Sequence, residues 1–397
     1  MRVVLVSSFP AFPSTAGNRS RIRQLALSIR ELGHDLTFVL LESKWEASDD
    51  AAHEAAFGKS NYIKIEKKYW FGRWARDVAL GAAKRVLRLA GVEAAYYSTL
   101  DRFRDRNFMS GLAQLDLRPD AVVVEYVLDS WAFAAFPRTA RRILDTHDAF
   151  GDRHKGYVAR GIQDYWISLR PESENAGFRR AQVVLAIQQE EAQRFRSQLA
   201  SDAKPGNPEV AVVGHLLELG ESVVNYEVDD SAVFVASDNP ANRHAIHAFV
   251  EDILPRVVSE RPGFDLKLAG SICRAVRDVP NVTKLGWVDD VETIFAQAPL
   301  SINPMLAGTG INIKLLDAMA AGVPSVTTAT GARGLPETLR NGMCVVADDD
   351  AEGFAAAVVR FARGASVRRA TGLAARDDAR RWNASHLAEL SRCLAGT

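Results

Sequence analysis

Short, continuous apolar runs bounded by turn residues alternate along this chain with segments whose apolar positions recur at helical spacing. Residues 2–8 form the first run, unbroken by polar alternation, as expected of a strand covered on both faces. Ile22, Leu25, Ala26, Ile29 and Leu32 then repeat at the helical period, Gly33 stops them, and residues 36–41 resume as strand, completing a βαβ unit. Strands follow at 121–126, 142–145 and 183–187, with a helix opening at Gln189. The stretch 201–208 gathers Ser, Asp, Pro, Gly and Asn, and 214–230 is rich in Gly, Glu and Asp, so a connection between domains falls there. Beyond it, runs at 232–236, 264–269, 282–285, 300–303, 325–328 and 343–346 restart the alternation, with a helix over 245–258. Alternation of this kind predicts an α/β chain with parallel sheets covered on both faces, and two series predict two doubly wound, Rossmann-like domains. The boundaries read as 1–214, with a charged and aromatic insertion at about 42–118, then 215–379, then a last helix in 380–397 around Leu387, Leu390 and Leu394.

With 397 residues, each domain has room for its own core. Hydrophobic residues make up 47% and charged residues 25%, which fits a soluble globular protein and argues against long disorder. The 49 basic and 49 acidic side chains cancel, so no nucleic-acid partner is expected and any anionic ligand must meet a local patch. Cys273, Cys344 and Cys393 form no metal-ligand spacing and read as reduced, structural thiols of a cytoplasmic protein. The first apolar run is too short for a signal peptide core, and no run approaches the ~20 residues that span a membrane. Segment 64–90 is different: Lys64, Lys67, Lys68, Tyr69, Trp70, Phe71, Arg73, Trp74 and Arg76 crowd together, and Leu80, Val86, Leu87 and Leu89 follow among Lys84, Arg85 and Arg88. Such a basic amphipathic helix either lies on an anionic membrane surface or packs on its own domain with its cations in water.

The densest chemistry lies at 303–328. A turn of small residues, Gly308, Thr309 and Gly310, precedes a helix that ends at Gly322 with Pro324 beyond. Glycine lets a ligand approach the main chain, and a helix start offers unsatisfied N–H groups and a positive dipole end, which together make an anion site. Lys314 and Asp317, three apart, share one helical face and offer an ammonium for phosphate and a carboxylate for paired hydroxyls, the two halves of a nucleotide. The plainer alternative is a helix of small residues packed closely on its sheet, with Lys314 and Asp317 solvated. At the other domain, Thr146-His147-Asp148 follows a strand end, where open α/β sheets hold ligands; there the alternative role for Asp148 is a helix cap.

Residues 308–324 resemble the donor-nucleotide motif of GT-B glycosyltransferases of the group 1, family 4 type, G-x-G-x-x-x-K-x-x-[ED]-A-M-A-x-G-x-P. The resemblance implies two Rossmann-like domains facing a central cleft, with the C-terminal helix crossing back to the N-terminal domain. It implies that Asp317 holds ribose, that Gly308, Thr309, Gly310, Ile311, Asn312 and Lys314 line the diphosphate and sugar, and that His147 reaches the transferred sugar. By the same resemblance Gly17 is the candidate to face the donor phosphates, Trp287 and Val288 are candidates to border the base, and Asn18, Arg19, Asp145 and Asp148 are acceptor-side candidates. Two positions depart from the pattern: Thr309 stands where many retaining members have Glu, and Asn242 where a Lys is usual, leaving Arg243 as a neighbouring cation for the diphosphate. Lys314 and the helix dipole then carry more of the leaving-group charge, without a metal. The aspartates at 348–350 and 377–378 read as solvated, so no metal and no cofactor are expected, the nucleotide-diphosphate sugar being a co-substrate.

The expected activity is transfer of a sugar from a nucleotide-diphosphate donor to a glycan or lipid-linked acceptor, with retained anomeric configuration, in polysaccharide or glycolipid biosynthesis. The expected location is cytoplasmic, with peripheral membrane contact through 64–90. The rival reading is a weakly active or inactive homologue that binds donor as a partner subunit. A dinucleotide oxidoreductase fits poorly, because the third glycine of G-x-G-x-x-G is missing.

Overall fold

The computed structural model describes residues 1–396 apart from 15, 43–46, 67–70, 160–164, 203, 221–223, 228–229, 289–290, 297 and 308–309, with the backbone alone at 71–79 and 291–292. The chain forms two compact units: Met1–His215 with His386–Thr397, and Leu216–Ser385.

In the first unit, β1 (Arg2–Ser7), β2 (Asp35–Glu42), β3 (Tyr62–Glu66), β4 (Ala121–Glu125), β5 (Arg141–Asp145), β6 (Val183–Ala186) and β7 (Glu209–Val212) form one parallel sheet in the order β3-β2-β1-β4-β5-β6-β7. The order reverses direction between β1 and β4, and at such a switch point the crevice beyond the strand C-termini is the natural ligand position. The central strands are apolar on both faces, which is why they read as unbroken hydrophobic runs: every residue of β4 and β6 is buried. Val4, Val6, Val122, Val124, Leu144 and Val184 pack with Phe133, Phe150, Phe178 and Phe195 into one core. Two strands went unread in the sequence. β3 lies inside the 42–118 insertion and β7 just past Pro208; both are sheet edges, and β3 is nowhere fully buried, so its apolar signal is diluted by Lys64 and Glu66.

In the second unit, β8 (Ser231–Val235), β9 (Asp265–Ala269), β10 (Val282–Gly286), β11 (Ser301–Asn303), β12 (Ser325–Thr328) and β13 (Met343–Val346) form a parallel sheet in the order β10-β9-β8-β11-β12-β13, with its switch between β8 and β11. Its core gathers Phe234, Phe249, Phe264, Leu268, Ile302, Val326 and Phe354. The helix expected over 245–258 is interrupted. Pro240–Ala248 and Leu254–Glu260 are α-helical, and Phe249–Ile253 between them is a π turn, where the Leu254 N–H reaches Phe249 O. Pro255, which has no N–H to donate, follows at once.

One helix, Ala365–Ala395, ends the chain. Its 31 residues span about 46 Å at 1.5 Å per residue. Its first part belongs to the second unit, where Arg368 is buried and its guanidinium donates to the carbonyls of Phe361, Ala362 and Tyr226. Asn383 closes a reciprocal pair with the Leu217 backbone at 2.8 and 2.6 Å. The returning segment expected at 380–397 is continuous with this helix. Its last residues belong to the first unit, where Leu390, Cys393 and Leu394 are buried, Arg141 donates to Cys393 O, and His386 Nδ1 lies 3.3 Å from Val212 O.

Gly342, ahead of β13, gives this helix its seat: a Cβ there would stand 2.3–2.8 Å from Ala375 atoms. Gly342→Ala is therefore expected to lower stability by about 1–3 kcal/mol, the usual cost of overpacking. Denaturant unfolding would read it, and an unchanged midpoint would mean that the helix yields freely at Ala375.

Candidate functional site

The second unit's candidate site begins where β11 ends. Asn303 is fully buried, and its Nδ2 donates to Thr327 Oγ1 at 3.1 Å and to Gly331 O at 3.2 Å. Thr328 Oγ1 donates to Met305 O at 2.5 Å and accepts from Gly331 N–H at 2.9 Å, and Asn312 Nδ2 donates to Gly331 O at 2.7 Å. These bonds tie the two ends of the 303–312 segment to the turn after β12. Gly331 is essential to the knot, because a Cβ there would stand 2.3 Å from Thr327 Oγ1 and 2.7 Å from Asn303. Gly308 and Thr309 lie outside the described residues. Beside Gly310 there is open space, and Ile311 packs partly into the cluster of Leu315, Leu316 and Trp382.

The helix Ile313–Ala321 follows. Its N-cap, Asn312, is extended and makes no side-chain cap bond; Leu315 N–H donates to Asn312 O at 2.9 Å, and the N–H groups of Ile313 and Lys314 have no partner among the described residues. Leu315, Leu316, Ala318, Met319 and Ala320 are buried and fix the helix's rotation; Gly322, at φ 80°, ends it in the left-handed conformation that glycine adopts without strain. Lys314 and Asp317 lie on the remaining face, half-buried, and do not pair with each other. Lys314 Nζ donates to Asn242 Oδ1 at 2.9 Å and sits 4.4 Å from the centre of the Phe234 ring. Asp317 has no hydrogen-bond partner among the described residues. Burial pushes Asp317 up to about 7 and Lys314 down to about 7, because no opposite charge offsets it for either group.

Other expected donor-side residues fall at varied distances from this chemistry. Asn242, in the position where the resembling family has Lys, is buried, donates to Ser237 O at 2.8 Å and holds Lys314 by its carbonyl oxygen. Arg243 is exposed and its guanidinium is engaged by Asp238. Trp287 is 55% exposed after β10, and Val288 packs partly against the cluster of Ile294 and Phe295.

In the first unit, the site forms at the ends of β4 and β5. Glu125 and Asp145 are register partners in these parallel strands and both are fully buried. Arg21, on the helix Gly17–Glu31, reaches Asp145 with Nε to Oδ2 at 2.7 Å and Nη2 to Oδ1 at 2.5 Å, and donates to Val213 O at 2.8 Å. Arg21, Gln24 and Ser28 form a buried polar stripe beside the apolar one. His147 Nε2 lies 2.5 Å from Glu125 Oε2 and 3.3 Å from Asp145 Oδ2, and the Tyr126 ring stacks on it with centroids 4.1 Å apart. Both His147 (φ 58°) and Tyr126 (φ 65°) hold positive φ, a strained state for such residues that persists only where surroundings enforce it.

Burial, then the neighbouring Asp145, raises Glu125 well above the usual carboxyl range. Burial alone would raise Asp145 too, but Arg21 and His147, with the hydrogen bonds from Arg21 and Glu125, together outweigh it and hold the group low. Burial brings His147 down to about 4, so the ring is neutral near pH 7. Glu125, Asp145 and His147 present donor atoms within 4.8 Å of one another, a spacing that suits a metal ion. Asp145, however, has Arg21 on both oxygens, and Glu125 Oε2 is a hydrogen-bond length from Nε2, so these donors are already committed to each other.

Asp148 caps no helix: the next one, Arg153–Val158, is capped at Asp152, and Asp148 instead lies 3.1 Å from Arg153, with burial raising it. Gly17 opens its helix behind an uncapped, extended Ala16. Asn18 hydrogen-bonds the Tyr126 hydroxyl, and Arg19 donates to Pro13 O and Ala47 O, bracing the loop after β1. Sequence reasoning missed Arg21 and Glu125. The available signal was a charged residue closing an apolar strand and another inside an apolar helical face.

Residues 229–363 match the family model of the group 1 glycosyl transferases. Among curated proteins, none matches in sequence. In fold, the chain resembles S. aureus TarM in complex with fondaparinux, alpha-GlcNAc-glycerol and UDP (TM-score 0.68, 10% identity, 99% of this chain and 100% of that one). It also resembles Anabaena HepE in complex with UDP and glucose (0.63, 12%, 99% of each) and WaaG, a glycosyltransferase involved in lipopolysaccharide biosynthesis (0.57, 17%, 98% of each). At such identities the structures speak for the fold alone, and that fold is GT-B. Residues 229–363 thus carry a domain similar to the group 1 glycosyl transferases, on the two-sheet architecture of the GT-B fold.

Proposed function

We propose that the second unit binds a nucleotide-diphosphate sugar, uridine being the favoured base, and that the sugar is transferred with retention to a glycan or lipid-linked acceptor in envelope polysaccharide or glycolipid synthesis. The observation that carries this reading is a buried Asp317 without a hydrogen-bond partner among the described residues and a charge-starved Lys314 beside it, at a helix start with no side-chain cap. A diphosphate supplies the anion that Lys314 and the N–H groups lack, and ribose supplies two hydroxyl donors to Asp317. The same groups stabilise the departing diphosphate, where charge develops in the transition state. Retention, and the contact of His147 with the transferred sugar, follow from the family resemblance. UDP in the TarM and HepE complexes supports the base, and the glycan ligands and lipopolysaccharide pathway of the relatives support the acceptor class.

A lipid-linked acceptor is supported by the helix Phe71–Leu89. Lys84 Nζ donates to Tyr97 O at 2.7 Å, and Arg88 donates to Ala95 O while stacking on Tyr96 and Tyr165, so these cations face the protein. Val86 and Leu89 are 66% and 90% exposed, and Leu80 and Leu87 are exposed beside them. An apolar outer face of this kind suits insertion at a membrane interface. No helix among the described residues is long and apolar enough to cross a membrane.

Asp317→Ala is expected to remove the thermal stabilisation given by UDP-sugars, weakening binding about tenfold or more through loss of charged hydrogen bonds. An equal shift in the variant would displace Asp317 from the ribose role. The affinity for UDP-glucose, which has no phosphate titrating near neutrality, is expected to peak near pH 7. Binding raises the Lys314 pKa, so affinity is full below about 7 and falls above it; binding lowers the Asp317 pKa, so affinity is full above about 7 and falls below it. Titration calorimetry across pH should show the alkaline limb disappear in Lys314→Met and the acid limb in Asp317→Asn; a flat wild-type profile would contradict both assignments. Val86→Ser/Leu89→Ser should cut co-flotation with anionic vesicles several-fold, since each buried aliphatic side chain contributes about 1.5–3 kcal/mol. Equal flotation would remove the membrane contact.

A further inference from the structure

The loop after β1 is fastened by a histidine from another part of the first unit. Ala11 N–H and Phe12 N–H both donate to His53 Nε2, at 3.0 and 3.3 Å, across 42 and 41 positions of sequence. A backbone N–H can only donate, so Nε2 carries its lone pair toward both. His53 Nδ1 lies 2.6 Å from Asp49 O, and a carbonyl can only accept, so the ring hydrogen is on Nδ1. The neutral ring satisfies all three contacts. Asp49 N–H in turn donates to Phe12 O at 3.1 Å, which ties the loop at a second point to the start of the helix Asp50–Phe57.

The His53 ring is fully buried among aromatic side chains: Tyr62 stacks on it with centroids 4.7 Å apart, and Phe12, Phe38 and Phe57 stand 5.2, 5.5 and 6.1 Å away. The charged groups around it are engaged elsewhere. The Asp49 carboxylate caps Ala52 N–H at 3.0 Å, and Asp50 accepts from Lys64 at 2.6 Å and from the Tyr62 hydroxyl at 2.8 Å. Lys64 also reaches Glu42 at 3.2 Å, and Arg23 sits over the Phe12 ring. Burial holds His53 below the ordinary histidine pKa, although the Asp49 carbonyl and the two aspartates act to raise it.

We propose that His53 is the positioning residue of the loop after β1, a latch that stays closed on the neutral ring and opens when a proton takes the Nε2 lone pair. An imidazolium would turn both loop hydrogen bonds into donor–donor contacts, so the proton and the closed loop compete for one site. With the closed-state pKa depressed, the latch is at full strength above about 6.5 and weakens as pH falls below it. The loop leads from the switch point of the first sheet to the helix Gly17–Glu31. That this segment serves a ligand rests on the proposed function; the latch does not.

The test is amide hydrogen exchange on the ligand-free full chain, read by mass spectrometry on peptides within residues 8–16 and corrected for the intrinsic rate at each pH. Between about pH 7.5 and about pH 5, the wild-type loop should lose about tenfold or more of its protection while peptides from β4 keep theirs. His53→Gln offers an amide oxygen that does not titrate, and should stay protected throughout. His53→Phe fills the aromatic site without an acceptor, and should be open at every pH. A wild-type loop that keeps its protection in acid, or a Gln variant that opens with the wild-type profile, would overturn the latch. Wild-type protection in the Phe variant would overturn the positioning role; if that variant fails to fold, the wild-type and Gln profiles decide. A latch that behaves as expected in a protein that binds no UDP-sugar would defeat the proposed function and leave this inference standing.

Discussion

The ion pair of Arg21 with Asp145 is the contact on which the first unit's chemistry depends. Parallel pairing of β4 and β5 brings Glu125 and Asp145 into register at the buried ends of their strands, and two carboxylates there would repel. One guanidinium on Asp145 answers one charge only, and burial beside Asp145 raises Glu125 well above the usual carboxyl range. Removing one partner of such a pair costs about 3–5 kcal/mol, since the other is left buried and alone. The pair also draws the helix Gly17–Glu31 onto the sheet end beside Val213.

The second unit takes the opposite course. Lys314 is given neutral partners, an amide oxygen, a thioether sulfur and a ring face, and Asp317 nothing among the described residues. Both groups are therefore held near the midpoint of their titration. A network of paired charges holds one histidine in the first unit; an unpaired lysine and aspartate store electrostatic need in the second. Perturbed groups of the second kind are the ones that a ligand can relax.

Much of this was legible in the chain. The unbroken apolar runs gave the central strands, and the small-residue turn with Lys314 and Asp317 stood out by helical spacing alone. The edges were not legible: β3 mixes Lys64 and Glu66 into its apolar residues, and β7 is only four residues long and starts directly after Pro208. Glu125 and Arg21 were hidden for a deeper reason. Their meaning lies in register across strands and in a pairing 124 positions apart, neither of which any local pattern carries. Asn242 looked like a lost cation. The structure gives it a different task, that of seating Lys314.

The last helix has a consequence for synthesis. Residues His386–Thr397 belong to the first unit, yet they are made after the whole of the second. Arg141, in β5, bonds to the backbone of Cys393, and Arg392 to Glu209 in β7, so the first sheet stays unfinished along that flank while the ribosome translates the intervening 216–385. Domains on such chains ordinarily fold in the order in which they emerge. Here the second unit is the one that can complete itself first, and residues made after it close the first.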